Sequence, residues 1–185
     1  MLQIEATAIP EVKILTPKRF ADGRGYFSEV YNRRRFEEAG VSLDFVQDNH
    51  SLSVATGTIR GLHFQIPPFA QAKLVRVARG RILDIAVDLR RSASTCAQHV
   101  AVELSAENGR QLLVPAGFAH GYCTLEPNTE VLYKVTNYYS ADHERGLAVD
   151  DPALGIVWPV PLGDARLSEK DRKHPRLSEL PSYFA

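Results

Sequence analysis

The chain has 185 residues, 44% of them hydrophobic, enough to bury a substantial core, and its length fits one domain over residues 1–185 better than two. Its 22 basic residues equal its 22 acidic ones, so no net field favours a polyanion such as nucleic acid or an anionic membrane surface. The start, MLQIEATAIPEV, lacks a charged stretch followed by an apolar one, no run approaches the roughly 18 apolar residues of a membrane helix, and the two cysteines, Cys96 and Cys123, form no paired framework; a cytoplasmic protein with reduced thiols is expected.

An edge strand is expected over residues 2–8. Short alternating or β-branched runs between turn residues then predict strands over residues 11–16, 26–31, 45–53, 58–65, 73–78, 81–89, 99–104, 111–114, 121–125 and 130–139. Only two stretches read as helical: residues 33–39, with Asn32 as N-cap and Gly40 as the stop, and a short turn over residues 168–173. Arg33, Arg34 and Arg35 alternate with Glu37 and Glu38 on the first of these, which describes a solvated face rather than a nucleic-acid surface. After Asp150, five prolines interrupt any long element, so this segment is expected to wrap the strands as a C-terminal extension. The fold class is all-β, an antiparallel sandwich or barrel decorated by short helices.

Two segments carry the chemistry. Residues 112–128, with Pro115, Gly117 and His120 between two strands, resemble the second cupin motif, and residues 57–80 resemble the first, with His63 and Gln65 two apart and so on one strand face. The resemblance implies a cupin double-stranded β-helix, a jelly-roll barrel. Metal-binding cupins carry a second histidine where this chain has Gln65, and no acidic residue falls between Gln65 and Gly80; the remaining two histidines are a poor metal site, so no metal is expected.

Further segments occur in the order of one family: Asp22 to Glu29, Gln47 to Ser51, Arg60 to Gln65, Lys73, Asp84 to Arg90, Pro115 to Gly121, Tyr133 to Tyr139, and Leu167 to Asp171. Together they resemble the dTDP-4-dehydrorhamnose 3,5-epimerase family over nearly the whole chain. The resemblance implies inversion at C3 and C5 of a dTDP-4-keto-6-deoxyhexose, in dTDP-L-rhamnose synthesis, by a homodimer without a cofactor. An unpaired edge over residues 2–8 also favours a dimer.

The chemistry can be built from residue types. A C4 ketone acidifies the hydrogens at C3 and C5, so inversion needs a base on one face, an acid on the other and a group that stabilises the enolate. His63 suits the base, since its unperturbed pKa of about 6.5 lies near working pH. Such a histidine needs a carboxylate on its other nitrogen. The resemblance assigns this to Asp171, while Asp84, opposite Leu83 and Ile85 in the alternation, is a rival. Tyr133 suits the acid, because a phenol with a pKa of about 10 keeps its proton at neutral pH. Lys73, sharing a face with Val75 and Val77, is the candidate for enolate charge.

The resemblance assigns Tyr139 to stacking on the thymine, on the face of Tyr133 if the strand runs through residue 139, and His120 to the sugar. Arg24 and Arg60 suit the pyrophosphate as planar forks. Glu29, Gln47, Asp48, Asn49 and Glu144 match family positions that touch nucleotide or sugar. Strict alternation puts Arg60 opposite His63, so both serve one site only if the strand bulges or bends at Gly61. Relatives that invert one carbon or isomerise the ketosugar tend to lose the acid tyrosine, which is present here. A metal-dependent oxygenase and a non-catalytic sugar-binding cupin are the alternatives from other classes.

Overall fold

The structure, a computed structural model, describes residues 2–185. In chain order it forms β1 (Gln3–Ala6), β2 (Lys13–Thr16), β3 (Phe20–Asp22), β4 (Gly25–Phe27), α1 (Arg33–Glu38), β5 (Gln47–Ser53), β6 (Ile59–Gln65), β7 (Lys73–Arg79), β8 (Arg81–Asp88), β9 (His99–Ser105), β10 (Gln111–Val114), β11 (Phe118–Thr124), β12 (Thr129–Val135) and β13 (Glu144–Gly146). These strands pair antiparallel in a six-stranded sheet, β1-β2-β10-β7-β12-β5, and a five-stranded sheet, β13-β6-β11-β8-β9. A separate hairpin joins β3 and β4. The all-β jelly-roll architecture expected from sequence is the one observed.

Alternation sorts the residues into three apolar layers. Val75, Val77, Leu112 and Val131 of the larger sheet meet Ile82, Ala86, Val102 and Phe118 of the smaller one. The outer face of the smaller sheet, with Leu62, Phe64, Ile85 and Val87, is covered by Leu147 and Val149, just after β13, and by Leu154 and Trp158 of the C-terminal extension. The outer face of the larger sheet is covered by Phe36 of α1 and by Val41, against Leu15, Leu74 and Leu113. Strands covered on both faces read as near-continuous apolar runs, as β11 does, with all seven residues buried. Polar residues that survive in such strands therefore face a cavity or each other.

The helix forms where its caps place it: the Asn32 side chain accepts the Arg35 backbone N–H at 3.3 Å, and the chain turns out at Gly40. Arg33 pairs with Glu37 and Arg34 with Glu38 on its exposed side. Among the described residues no helix is long and apolar enough to cross a membrane.

Two strand expectations need correction. Residues 28–31 are irregular, and Tyr26 and Phe27 lie exposed on the small hairpin rather than in a core. The hairpin closes at Asp22–Gly25, and beyond Phe27 the chain leaves it to reach the cap of α1. The strand expected to run through residue 139 ends at Val135, because the Asn137 carboxamide takes the Tyr138 N–H at 2.9 Å and withdraws it from the ladder.

Candidate active site

The site opens where β6 breaks its own alternation. On β11, His120 pairs with His63 and Tyr122 with Arg60, so three residue steps on β6 face two on β11. One extra residue, at Gly61, resets the parity and turns Arg60 and His63 to the same inner face, as the bend expected there requires. Sterics explain the residue type. A Cβ on Gly61 would lie 2.6 Å from Gly121 Cα, and one on Gly121 would lie 2.7 Å from the Arg60 carbonyl, so the two glycines let the strands close over the bulge.

Between the sheets lies a cavity of about 550 Å³ whose wall includes His63, Lys73, His120, Tyr133 and Asp171. It shares His63, Lys73 and Tyr133 with a second recess of about 250 Å³ lined by Gln47, Asn49, Tyr139 and Glu144. His63 stands on the smaller sheet and Tyr133 on the larger, so the two face the cavity from opposite walls.

Each histidine has its own carboxylate. His63 Nε2 lies 2.7 Å from Asp171 Oδ1, and His120 Nε2 lies 2.8 and 3.0 Å from the two oxygens of Asp84. Asp84 is therefore the partner of His120, and Asp171 that of His63. Burial opposes ionisation of Asp171, but the nearby His174, the hydrogen bonds with His63 and Ser168 and the charge of His63 outweigh it and hold its carboxyl well below the usual range. The turn that carries Asp171 is fixed by Ser168, whose Oγ accepts the Asp171 N–H at 3.1 Å. Burial lowers the His120 pKa despite Asp84, so its neutral ring donates Nε2–H to that carboxylate.

Lys73 is buried, with Nζ 3.3 Å from the His63 carbonyl, and burial lowers its pKa to about 8 against the attraction of Asp84 and Glu144. Burial raises the Tyr133 pKa, so the phenol holds its proton firmly at neutral pH. Arg60 donates to Ser53 Oγ and to the Leu52 carbonyl, both at 3.0 Å, which fixes the guanidinium at the cavity wall.

Tyr139 reaches the recess from the loop after β12 rather than from the strand itself. Gln65 holds that loop: its amide accepts the Ser140 N–H at 2.7 Å and donates to the Phe69 and Tyr138 carbonyls. Gln47 accepts the Tyr139 N–H at 3.2 Å and donates to Asn49 at 2.8 Å, and the Tyr139 hydroxyl donates to Glu144 at 2.9 Å. Glu144 also pairs with Lys170.

Three candidates fall elsewhere. Asp48 lies on the opposite face of β5 from Gln47 and Asn49 and pairs with Lys134 at 2.8 Å, as period two dictates. Arg24, at the tip of the small hairpin, pairs with Asp22 at 2.7 Å, and Glu29 pairs with Arg35 at 2.6 Å. Tyr122, whose hydroxyl is 2.8 Å from Ser51 Oγ, lines the cavity and went unassigned, although its place two residues after His120 signals it. Arg166 lines it too. Hydrogen bonds of residue 166 with Gly57 and Ile59 bring it there, which no sequence periodicity announces. His174, beside Asp171, is equally unannounced.

His63, Asp171 and His174 are the grouping of ion-binding side chains among the described residues, their ligand atoms all within 4.8 Å. The 2.7 Å between His63 and Asp171 is a hydrogen-bond length, closer than two donors bonded to one zinc at about 2.0–2.1 Å and tetrahedral angles would stand. The pair makes a direct hydrogen bond.

A family model described as dTDP-4-dehydrorhamnose 3,5-epimerase matches residues 6–179. A relative of that name from Sinorhizobium fredii is 52% identical over 183 residues, covering 99% of this chain and 93% of its own length. A crystal structure of the Bacillus anthracis dTDP-4-dehydrorhamnose 3,5-epimerase, with TDP and PPi bound, superposes with a TM-score of 0.93 at 50% identity, over 95% of this chain and 99% of that one. One of a Legionella pneumophila dTDP-6-deoxy-D-glucose-3,5-epimerase with dTDP-4-keto-L-rhamnose does so with a TM-score of 0.93 at 41% identity, over 98% and 95%.

Proposed function

Because the chain belongs to the dTDP-4-dehydrorhamnose 3,5-epimerase family and is an epimerase of dTDP-L-rhamnose biosynthesis, we propose how its residues divide the inversion of C3 and C5 of dTDP-4-dehydro-6-deoxy-D-glucose. Neutral His63 takes the proton from a carbon beside the ketone, and Asp171 stabilises the imidazolium formed. The C–H electron pair moves into an enolate, whose oxygen charge Lys73 offsets in the low-dielectric interior. Tyr133 then gives its phenolic proton to the opposite face of the carbon, and exchange with solvent restores both groups. No metal or organic cofactor enters this sequence. The observation that carries it is the facing of His63 and Tyr133 from opposite sheets across one cavity, the arrangement that inversion demands.

His120, held neutral by Asp84, contacts the sugar in this reading, and Arg60 meets the pyrophosphate with its remaining N–H groups. Tyr139 stacks on the base, with Gln47, Asn49 and Glu144 at its edge. The enzyme acts as a homodimer. Support for this comes from the small hairpin, where Phe20, Tyr26 and Phe27 are exposed together, and from Arg24 at its tip, which on a second copy would reach an anionic ligand that it does not approach here. Sedimentation showing only monomer would sink that part. Unpaired thiols at Cys96 and Cys123 fit a reducing compartment, the cytoplasm.

The test is incubation of chelator-treated enzyme with dTDP-4-keto-6-deoxyglucose in deuterated water, followed by proton NMR. Deuterium is expected at C3 and C5 with inverted configuration. Exchange at one carbon only, or turnover that the chelator abolishes, would refute the proposal.

A further inference from the structure

His174 has no part in the division of labour above, yet its environment is built around it. The side chain is only 9% exposed, its Nε2 stands 3.4 Å from Asp171 Oδ1, the oxygen that His63 also uses, and Nε2 has no well-formed hydrogen bond. Its ring packs edge-to-face on the His63 ring, with centroids 5.5 Å apart and planes at 85°. Space for it comes from β13, where Gly146 pairs in register with His63, and a Cβ on Gly146 would come within 2.2 Å of the His174 ring. The backbone next to it is pinned by Ala148, which donates to the Pro175 carbonyl at 2.8 Å.

A buried imidazole used only as filling would cost desolvation that a phenyl or isobutyl group avoids. The polar atom that its Nε2 faces is the carboxylate oxygen that also bonds His63. We infer that His174 is a positioning residue for the His63–Asp171 pair, donating its Nε2–H to Asp171 Oδ1 when substrate fills the cavity. Catalytic hydrogen bonds that are long without substrate commonly tighten on binding. The inference rests on the reading of His63 as the base.

A second donor on Oδ1 has a definite consequence. It draws charge from the carboxylate, and losing it leaves Asp171 to stabilise the imidazolium formed on His63 more strongly. The other charges facing this pair are Lys73 from β7, Glu144 from β13, Lys170 from the loop before Asp171, and the Asp84–His120 pair on the adjoining strands of the sheet. Removing the His174 donor leaves all of them in place.

Two variants separate donation from packing. His174→Phe keeps a ring and loses the N–H, whereas His174→Gln loses the ring and keeps an N–H able to reach Asp171. For His174→Phe we expect kcat to fall about 3- to 10-fold with KM unchanged. The acidic limb of kcat/KM should move up by about 0.5–1 pH unit. His174→Gln should return the limb toward the parent. A parent-like limb in His174→Phe, or the same displacement in both variants, would overturn the inference.

Should His174→Phe fail to fold, nitrogen-15 NMR of the histidine-labelled parent enzyme decides alone. His174 must carry its proton on Nε2, and the Nδ1–H tautomer overturns the inference. His63→Asn tests the reading beneath: retained solvent exchange would remove His63 as base, whereas an inert His63→Asn beside a parent-like His174→Phe would remove only the role of His174.

Discussion

Replacing Lys73 with methionine is expected to make the protein more stable and nearly inactive at once. Lys73 is buried between the sheets, and its pKa falls from 10.5 to about 8 because burial penalises the ammonium more than Asp84 and Glu144 attract it. At about 1.36 kcal/mol per pKa unit, this fall corresponds to roughly 3 kcal/mol of stability forgone while the group is charged. The sign follows from proton counts. Between about pH 8 and 10.5 the unfolded chain holds the proton that the folded chain has released, so the parent gains stability as pH rises through this window. Below about 8 the deficit is complete, and above 10.5 it is gone.

Methionine, of similar length and without charge, removes the titration and packs against Val75 and Val77 on the same strand face. Urea unfolding of parent and variant at one protomer concentration, repeated from pH 7 to 11, is the assay, since other titrations cancel in the difference. The variant's advantage should be roughly 3 kcal/mol larger at pH 7 than at pH 11. In parallel, losing the group proposed to offset enolate charge should lower kcat about 10²- to 10³-fold. A stability difference that does not change with pH would refute the reasoning, because it would mean that Lys73 does not titrate differently in the folded chain.

The same titration should appear in the activity of the parent: kcat/KM is expected to decline as pH rises through about 8, and a pH–rate profile level to pH 10 would contradict it. Gly121→Ala should destabilise the fold by about 1–3 kcal/mol, since its Cβ would meet the Arg60 carbonyl at 2.7 Å and backbone cannot yield as a side chain tip does; thermal unfolding measures it. Tyr139→Ala should raise KM for the nucleotide sugar about 5-fold or more while kcat changes little, as expected where stacking contributes about 1–3 kcal/mol, and steady-state kinetics separate the two.

Much of the barrel was legible because period two is a strong signal where both faces of a sheet are covered. It placed Val75 and Val77 with Lys73, and Asp84 opposite Leu83 and Ile85. It also exposed its own exception: Arg60 and His63 could share a face only across a bulge, and the register slips at Gly61. The same rule sets Asp48 apart from the site, since its neighbours Gln47 and Asn49 occupy the other face of β5. Beyond the strands periodicity is silent. Tyr139, Arg166 and His174 sit on irregular segments held by side-chain clamps and isolated backbone bonds, and these depend on contacts made by residues far along the chain.

The choice between two carboxylates for His63 shows what kind of information was missing. Asp84 and His63 both point inward, so alternation left Asp84 a sound candidate. Sheet order puts a nearer histidine between them: β8 and β6 flank β11 on opposite sides, so His120 on β11 stands one strand from Asp84 while His63 stands two. On β11 itself, Tyr122 pairs with Asp84 and Ala86 with His120, and this diagonal brings the His120 ring to Asp84. With Asp84 taken by His120, and Glu144 of β13 engaged by Tyr139 and Lys170, the anchor of His63 comes from outside the sheet. The extension supplies Asp171 from 108 positions away, which makes the C-terminal segment part of the site as well as the cover of the smaller sheet.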